Sequence, residues 1–411
     1  MRRVVITGLG IVAPTGIGVP AAWRTTLAGT SSIGRIVRFD ASQLPVQIAG
    51  EVSDFDGAKL LGGKKARQTS RFIQFAEVAA QEALADAGYD ATQHGQRCGC
   101  LIGVAIGGLG EIEASAITLH ERGPTKILPH TLPYALPNMA SGVVAIEHQL
   151  LGPNLAVASA CASGTHAIGE ASMHIRRGDA DMMLAGGAEA ATCPLSIASF
   201  DRIGALTRRN DEPELASRPF DADRNGFVMG EGCGLLVLEE YEHARERGAK
   251  IYAELVGYGL SADAHHITTP APEGSGLAKC MLSAIRDGGL DLNDVDYINA
   301  HGTSTKLNDA LESAAIQRVF GQQASHLSIS STKGATGHCL GAAGGIEAVF
   351  TILAIRDCLV PPTANYARFD ADCPLDYTPR VAKQRRLNVA LSNSSGFGGQ
   401  NACLAFKRHV D

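Results

Sequence analysis

The chain is short of aromatic residues, which make up 5 % of its 411 positions and include a single tryptophan. Stacking on unpaired nucleic-acid bases needs exposed aromatic faces, so that role is not expected. Positive charge is not in excess either. Thirty-six Lys and Arg against 42 Asp and Glu leave a formal net charge of −6, which argues against a general binder of polyanions. No window approaches the roughly 18 apolar residues of a membrane-crossing helix. The start, Met1-Arg-Arg-Val-Val-Ile-Thr-Gly, has too short an apolar stretch for a secretory leader. These gaps predict a cytoplasmic protein that engages neither membrane nor nucleic acid. The ten cysteines lack C-x-x-C pairing, so free thiols, mostly packed as small hydrophobes, are expected. There is also no low-complexity linker and no run of like charge.

What is abundant is glycine, 47 residues, in a chain that is 45 % hydrophobic and 19 % charged. That composition belongs to a globular protein with many tight turns and close backbone approaches. Short β-rich runs alternate with longer helical ones, which predicts an α/β fold. Strands are expected at Val4–Thr7, Cys100–Val104, Leu155–Ala158, Met182–Ala185, Tyr297–Ala300, Leu327–Ser330, Val389–Ser392 and Ala402–Phe406. Gly234–Glu239 and Tyr252–Ser261 read as a hairpin-like pair. Helices are expected at Ser70–Ala87, Cys161–Arg177, Gly276–Asp287, Asn308–Phe320 and Gly341–Arg356. A weak internal echo places a reactive residue between a strand and a small-residue helix twice, at Cys161 and at Lys333–His338. It suggests two halves of similar topology, 1–250 and 251–411.

Gly8-Leu-Gly10-Ile-Val-Ala13 matches a loose dinucleotide fingerprint, but Pro14 and Thr15-Gly16 stand where the phosphate-facing helix should run. No acidic residue closes a second strand about 20 residues on, so a strand-to-turn passage is expected there. Cys161, in Ala160-Cys-Ala-Ser-Gly164, stands at the start of a helix, whose unpaired N–H groups stabilise a thiolate. Its small neighbours leave the sulfur approachable, and its own N–H is placed to bind an oxyanion. The stretch reads equally well as a packed cysteine at a strand end. His301 opens His-Gly-Thr-Ser-Thr305, and His338 closes Ser331-Thr-Lys-Gly-Ala-Thr-Gly-His338. Both lie at strand C-terminal ends, where α/β proteins bind ligands. Neither has a partner at metal-ligand spacing, so no metal is expected; His265-His266 reads as loop. Glycines flank Phe397 in Asn393–Asn401, which suggests a mobile flap or an N–H donor.

Taken in order, "ACASG", "HGTST", "STKGATGH" and "GFGG", with "VVITGLGIVAPTG" and "RPFDADRNGFVMGEGCG", resemble the elongating β-ketoacyl-[acyl-carrier-protein] synthases of type II systems across essentially the whole chain. The resemblance implies a thiolase-like fold, two similar halves in α-β-α-β-α layers. It implies Cys161 as nucleophile toward an acyl thioester, and His301 and His338 as donors to the malonyl thioester oxygen. The N–H groups of Cys161 and Phe397 would form the oxyanion hole, with Phe397 as gate. Lys333 would pair with Glu347 and hold His338. Thr303 and Thr305 would bind the phosphopantetheine arm, and Ile106 and Phe200 would line the acyl pocket. No cofactor is implied beyond the acyl and malonyl groups delivered on acyl carrier protein.

A second histidine, where starter-type enzymes carry Asn and thiolases a second Cys, points to elongation with malonyl-carrier protein. A homodimer is implied. The alternative is a ketosynthase subunit of a type II polyketide or polyene pathway, heterodimeric with a chain-length factor. Ser395, Lys306 and Gln400 depart from the family's common residues and border the gate and entrance, where acyl-chain or carrier preference would be set. The carrier is acidic in this family, so a local basic patch is expected among Lys64, Lys65, Arg67, Arg71 and Lys126.

Overall fold

Ten consecutive buried residues form strand β1 (Val4–Ala13), and a strand buried on both faces needs a cover on each side. The computed structural model, which describes residues 1–410, supplies them. After β1 come α1 (Arg71–Asp86), β2 (Cys98–Gly103), α2 (Met139–His148), β3 (Asn154–Val157), α3 (Ser163–Arg177), β4 (Met182–Glu189) and β5 (Gly232–Glu240). The chain continues with β6 (Ala253–Ala262), α4 (Ser275–Asp287), β7 (Val295–Asn299), α5 (Lys306–Phe320), β8 (Ser328–Ser330), α6 (Ala343–Asp357), β9 (Val389–Gly396) and β10 (Gln400–Arg408). These strands follow the order β8-β7-β9-β10-β6-β1-β5-β4-β2-β3.

The order is a repeat about its middle. In the first half β2 pairs parallel with β3 and β4, then β4, β5 and β1 run antiparallel. In the second half β7 pairs parallel with β8 and β9, then β9, β10 and β6 run antiparallel. The halves meet where Val5 and Ile6 of β1 face Glu254 and Ala253 of β6.

Strand alternation sorts side chains into separate cores. Leu236 and Leu238 of β5, with Leu404 and Phe406 of β10, pack on α3 and α6 between the two sheet lobes. Leu235 and Val237 face the other way, onto Phe75, Ala76 and Ala79 of α1. Leu391 and Cys403 face Met281 and Ala284 of α4 and Ile316 of α5. The result is α-β-α-β-α layering, the fold expected from the sequence. α6 is buried from Ala343 to Ile355, as a helix apolar all round must be. Glycines let the middle layer close: a Cβ on Gly164 of α3 would stand 2.8 Å from the Gly345 amide nitrogen, and one on Gly187 of β4 2.2 Å from the Gly341 carbonyl oxygen.

Two expectations are corrected. The strands expected as a hairpin, β5 and β6, do not pair with each other, because β1 lies between them. Their alternating pattern reported strands correctly and said nothing of who neighbours whom. Gly8 and Gly10 mark no turn and no nucleotide loop; they sit inside β1. Helix α1 crosses so closely that a Cβ at Gly10 would lie 1.9 Å from the Ala79 carbonyl oxygen. The turn comes later, at Pro14-Thr15, before Gly16 and Ile17 pair back onto β1.

Candidate active site

Between β3 and α3 the chain makes a tight elbow. Ala160 takes a positive φ of 51°, a conformation that costs a non-glycine residue on the order of 1–3 kcal/mol and persists only where its surroundings impose it. Ser163 does so: its hydroxyl accepts from the Ser159 N–H at 2.9 Å and donates to the Ala160 carbonyl at 2.6 Å. Cys161 is the next residue and stays half-buried, while α3 itself begins at Ser163. The last residue of β9, Gly396, passes so near that a Cβ there would stand 2.5 Å from the Ser159 carbonyl oxygen. This brings Phe397 over the elbow, with its N–H on the side of the Cys161 sulfur, both lining one cavity.

The Cys161 thiol is not the acidified group its helix-start position suggests. Burial pushes it up to about 12; Lys333 and the N–H groups of Phe397 and Cys161 pull down, and Glu189 pushes further up. Desolvation outweighs the Lys333 charge and the N–H groups together.

The two histidines come from the other half. The His301–Ser304 loop leaves β7 and has no strand partner, so its N–H groups need other acceptors. Glu312 accepts from His301 and Gly302 at 2.9 and 2.8 Å, and Asp309 accepts from Thr303 and Ser304 at 2.9 and 3.1 Å. Both acids stand on one face of α5, and burial raises both carboxyl pKa values. His338 is fixed through its backbone: its N–H donates to the Val228 carbonyl at 2.7 Å, and its own carbonyl accepts from Gly230 at 2.9 Å. The imidazoles of His301 and His338 meet edge to face with centroids 5.3 Å apart, and Phe227 packs against His338 in the same way. Burial, then Lys333, holds both imidazoles well below their usual pKa, and His338 further depresses His301. They are therefore neutral at pH 7. Each has a buried Nδ1 without a hydrogen-bond partner among the described residues. Lys333 and Glu347 form a buried ion pair just behind them, with burial raising the Glu347 carboxyl.

One cavity of about 430 Å³ is lined by Cys161, His301, His338, Thr303, Thr305 and Phe397 together. The hydroxyls of Thr303 and Thr305 are 2.9 Å apart. Phe200 lines the same space and tilts toward Phe397 at 6.3 Å. Ile106 does not line it; it packs against the adjoining apolar cluster that also takes Cys161 and Phe200. Among the basic residues expected to form a docking patch, Arg71 is spent inside the protein, with Glu231 at 2.6 Å and the Val52 carbonyl at 2.8 Å. Lys65 is clamped by Glu77 and Glu147 at 2.9 and 3.0 Å. Lys64, Arg67 and Lys126 are exposed.

Sequence reasoning missed the carboxylates beneath the loops. Asp309 and Glu312, three residues apart on a helix, share a face, and that spacing behind His301 was a readable signal. Glu189 closes the apolar strand β4 and accepts from Ala105, Ile106, Gly107 and Gly341 at 2.8–3.3 Å. Burial lifts it to about 7. A charged residue ending a buried strand was its only mark. Phe227 carried none.

Comparison with known proteins adds to this geometry. The β-ketoacyl synthase N-terminal domain profile matches residues 1–244 and the C-terminal domain profile residues 252–367. The chain is 49 % identical over 411 residues to 3-oxoacyl-[acyl-carrier-protein] synthase 2 of Coxiella burnetii, covering 100 % of this chain and 99 % of that one. Two solved structures align over 100 % of both chains. One is a type II polyketide acyl-carrier protein in complex with its ketosynthase bound to the hexaketide, with TM-score 0.92 and 38 % identity. The other is the ishigamide ketosynthase/chain length factor, with TM-score 0.93 and 37 % identity.

Proposed function

The chain belongs to the β-ketoacyl synthase family, and from that premise we propose how its own residues carry out the reaction. It is an acyltransferase-class condensing enzyme, a 3-oxoacyl-[acyl-carrier-protein] synthase that extends an acyl chain by two carbons in fatty acid biosynthesis. The observation that carries the residue-level reading is the single cavity shared by Cys161, His301, His338 and the Phe397 turn.

Cys161 Sγ attacks the carbonyl of an acyl thioester; the carrier's C–S bond breaks, and its thiol leaves with the proton from Cys161. The negative oxygen formed during attack is held by the N–H groups of Cys161 and Phe397. Malonyl-carrier protein then enters, and its C–C bond to the carboxylate breaks to release CO₂. The electron pair stays as an enolate whose oxygen receives hydrogen bonds from His301 and His338. Neutral imidazoles suit this role, since they donate one N–H without adding a buried charge. The enolate carbon attacks the acyl-Cys161 thioester, the Cys161 C–S bond breaks to release the 3-oxoacyl chain on carrier protein, and the Cys161 thiolate takes a proton from solvent to restore the thiol.

Burial keeps the imidazoles neutral, and Lys333, paired with Glu347 behind them, adds to that effect with its positive charge. Thr303 and Thr305 take the phosphopantetheine arm, Phe200 lines the acyl space, and Phe397 gates it. Acyl and malonyl groups arrive on the phosphopantetheine of acyl carrier protein, and no metal or other cofactor takes part. We assign 1–250 to the half that supplies the nucleophile and 251–411 to the half that supplies the histidines.

The assembly is a dimer built on β3. That strand ends the sheet with Asn154 and Leu155 exposed, and Leu151 and Ile146 stand exposed at 62 % and 75 %. An apolar open edge is a template for another strand. A second copy is the partner in a fatty-acid enzyme, a chain-length factor in a polyketide one. The polyketide reading draws on the two ketosynthase structures at 37–38 % identity; the 49 % relative favours fatty acid synthesis. No helix among the described residues is long and apolar enough to cross a membrane, and a cytoplasmic location fits the substrates.

Cys161→Gln tests the assignment. Decarboxylation of malonyl-carrier protein is expected to persist while chain extension and acylation of the protein, read by intact mass, disappear. Extension surviving in this variant overturns Cys161 as nucleophile.

A further inference from the structure

We propose that Lys306 is the phosphate subsite of the cavity, an ammonium that pairs with the phosphodiester at the outer end of the phosphopantetheine arm. The proposal rests on the reading of the site given above. Thr305 caps α5, and Lys306 is the first residue of that helix. Lys306 stands in the wall of the cavity that holds Cys161, His301 and His338. Apart from the neutral histidines, two charged residues stand in the cavity wall, Lys306 and Asp263. Asp263 is turned to the protein: one oxygen accepts from Asn401 at 2.8 Å and the other from the Ala271 N–H at 3.1 Å. Among the described residues Lys306 is therefore the one cation of the wall, paired only loosely, across 4.0 Å, with Asp370.

Its Nζ donates to the Ala222 carbonyl and stands 4.0 Å from Asp370, whose carboxylate already holds Arg224 at 2.5 Å. The lysine side chain remains 59 % exposed, and its ammonium has three N–H donors to place. The length also fits. The arm has about thirteen bonds from sulfur to phosphorus, roughly the reach of four extended residues. Five residue steps separate His301, at the reacting end, from Lys306, along a loop that is not fully extended. A thioester held between Cys161 and the histidines, with its amides at Thr303 and Thr305, thus delivers its one permanent negative charge beside Lys306. A lone ammonium suits a phosphodiester at a cavity mouth as a point charge, without needing bidentate geometry.

The test uses one acyl group on three supports: pantetheine, 4′-phosphopantetheine and acyl carrier protein. Acylation of Cys161 is followed by intact mass in the full-length protein and in Lys306→Ala and Lys306→Arg. Relative to its effect on acyl-pantetheine, Lys306→Ala is expected to lose about tenfold in kcat/KM on both phosphate-bearing thioesters, and Lys306→Arg to recover most of it. An equal loss on all three supports, or none, overturns the subsite. A loss confined to carrier protein also overturns it, and assigns Lys306 to the carrier's acidic surface instead. If the unaltered protein acylates Cys161 from none of the three, the reading of the site fails first and takes this one with it.

Discussion

The two halves of the molecule repeat one strand order and put opposite chemistry at the same place. In the first half the link from β3 to α3 is five residues, Ala158–Ala162, made of small side chains around one half-buried thiol. In the second half the link from β8 to α6 runs through Lys333 to His338, and it carries a buried ion pair and an imidazole. The first is a half-buried elbow, open at the thiol and held by a serine hydroxyl. The second is a buried interior held by the Lys333–Glu347 pair and by backbone hydrogen bonds at His338. A repeated frame can thus separate the two demands of the reaction, access for the nucleophile and a fixed electrostatic field for the enolate.

The comparison is broken most sharply at Lys333. Lys333→Ala leaves Glu347 buried and unpaired, and the expected loss is about 3–5 kcal/mol in denaturant unfolding. Pairing it with Glu347→Gln should recover much of that stability without restoring decarboxylation. If the single variant is as stable as the parent, the second half does not depend on its ion pair.

Removing either imidazole comes next. His301→Ala or His338→Ala is expected to slow malonyl decarboxylation by about 10²–10³, the usual effect of deleting one donor to a developing oxyanion. Acylation of Cys161 should change far less, because that step uses N–H groups contributed by the elbow and the Phe397 turn. Equal losses in both steps would show that the halves do not divide the work.

The smallest effect sharpens the first half. With its thiol pushed up to about 12, Cys161 should react with iodoacetamide at a rate that climbs about tenfold per pH unit from 7 to 10, with no plateau, since thiolate is the reactive form. A plateau below pH 8 would mean that the helix start and Lys333 win over burial after all.

Most of this architecture was legible in the sequence because periodicity reports burial. The Ser70–Ala87 and Cys161–Arg177 patterns end within two residues of α1 and α3. Pairing was not legible, since a strand's alternation names the faces it covers and not its neighbours; hence the supposed hairpin of β5 and β6. The reactive residues stood out because small and hydroxyl residues surround them in loops after strands. What held those loops did not. Asp309 and Glu312 share a helix face close behind His301, but only the folded chain shows that the amides of His301–Ser304 lack other partners. Glu189 accepts N–H groups distant in sequence. The thiol's acidity was misjudged for the same reason: the helix start is local and visible, whereas desolvation is collective.

The glycines where α3 crosses β4 and α6 have a consequence for redesign. At Gly164 and Gly187 the backbones are separated by less than a methyl group would need, so the crossing behaves as a fixed spacer between the thiol and the imidazoles. Pocket size and catalytic spacing are therefore independent dials. Altering Phe200 or Phe397 reshapes what the enzyme accepts, while any side chain added on the spacer changes whether it turns over at all.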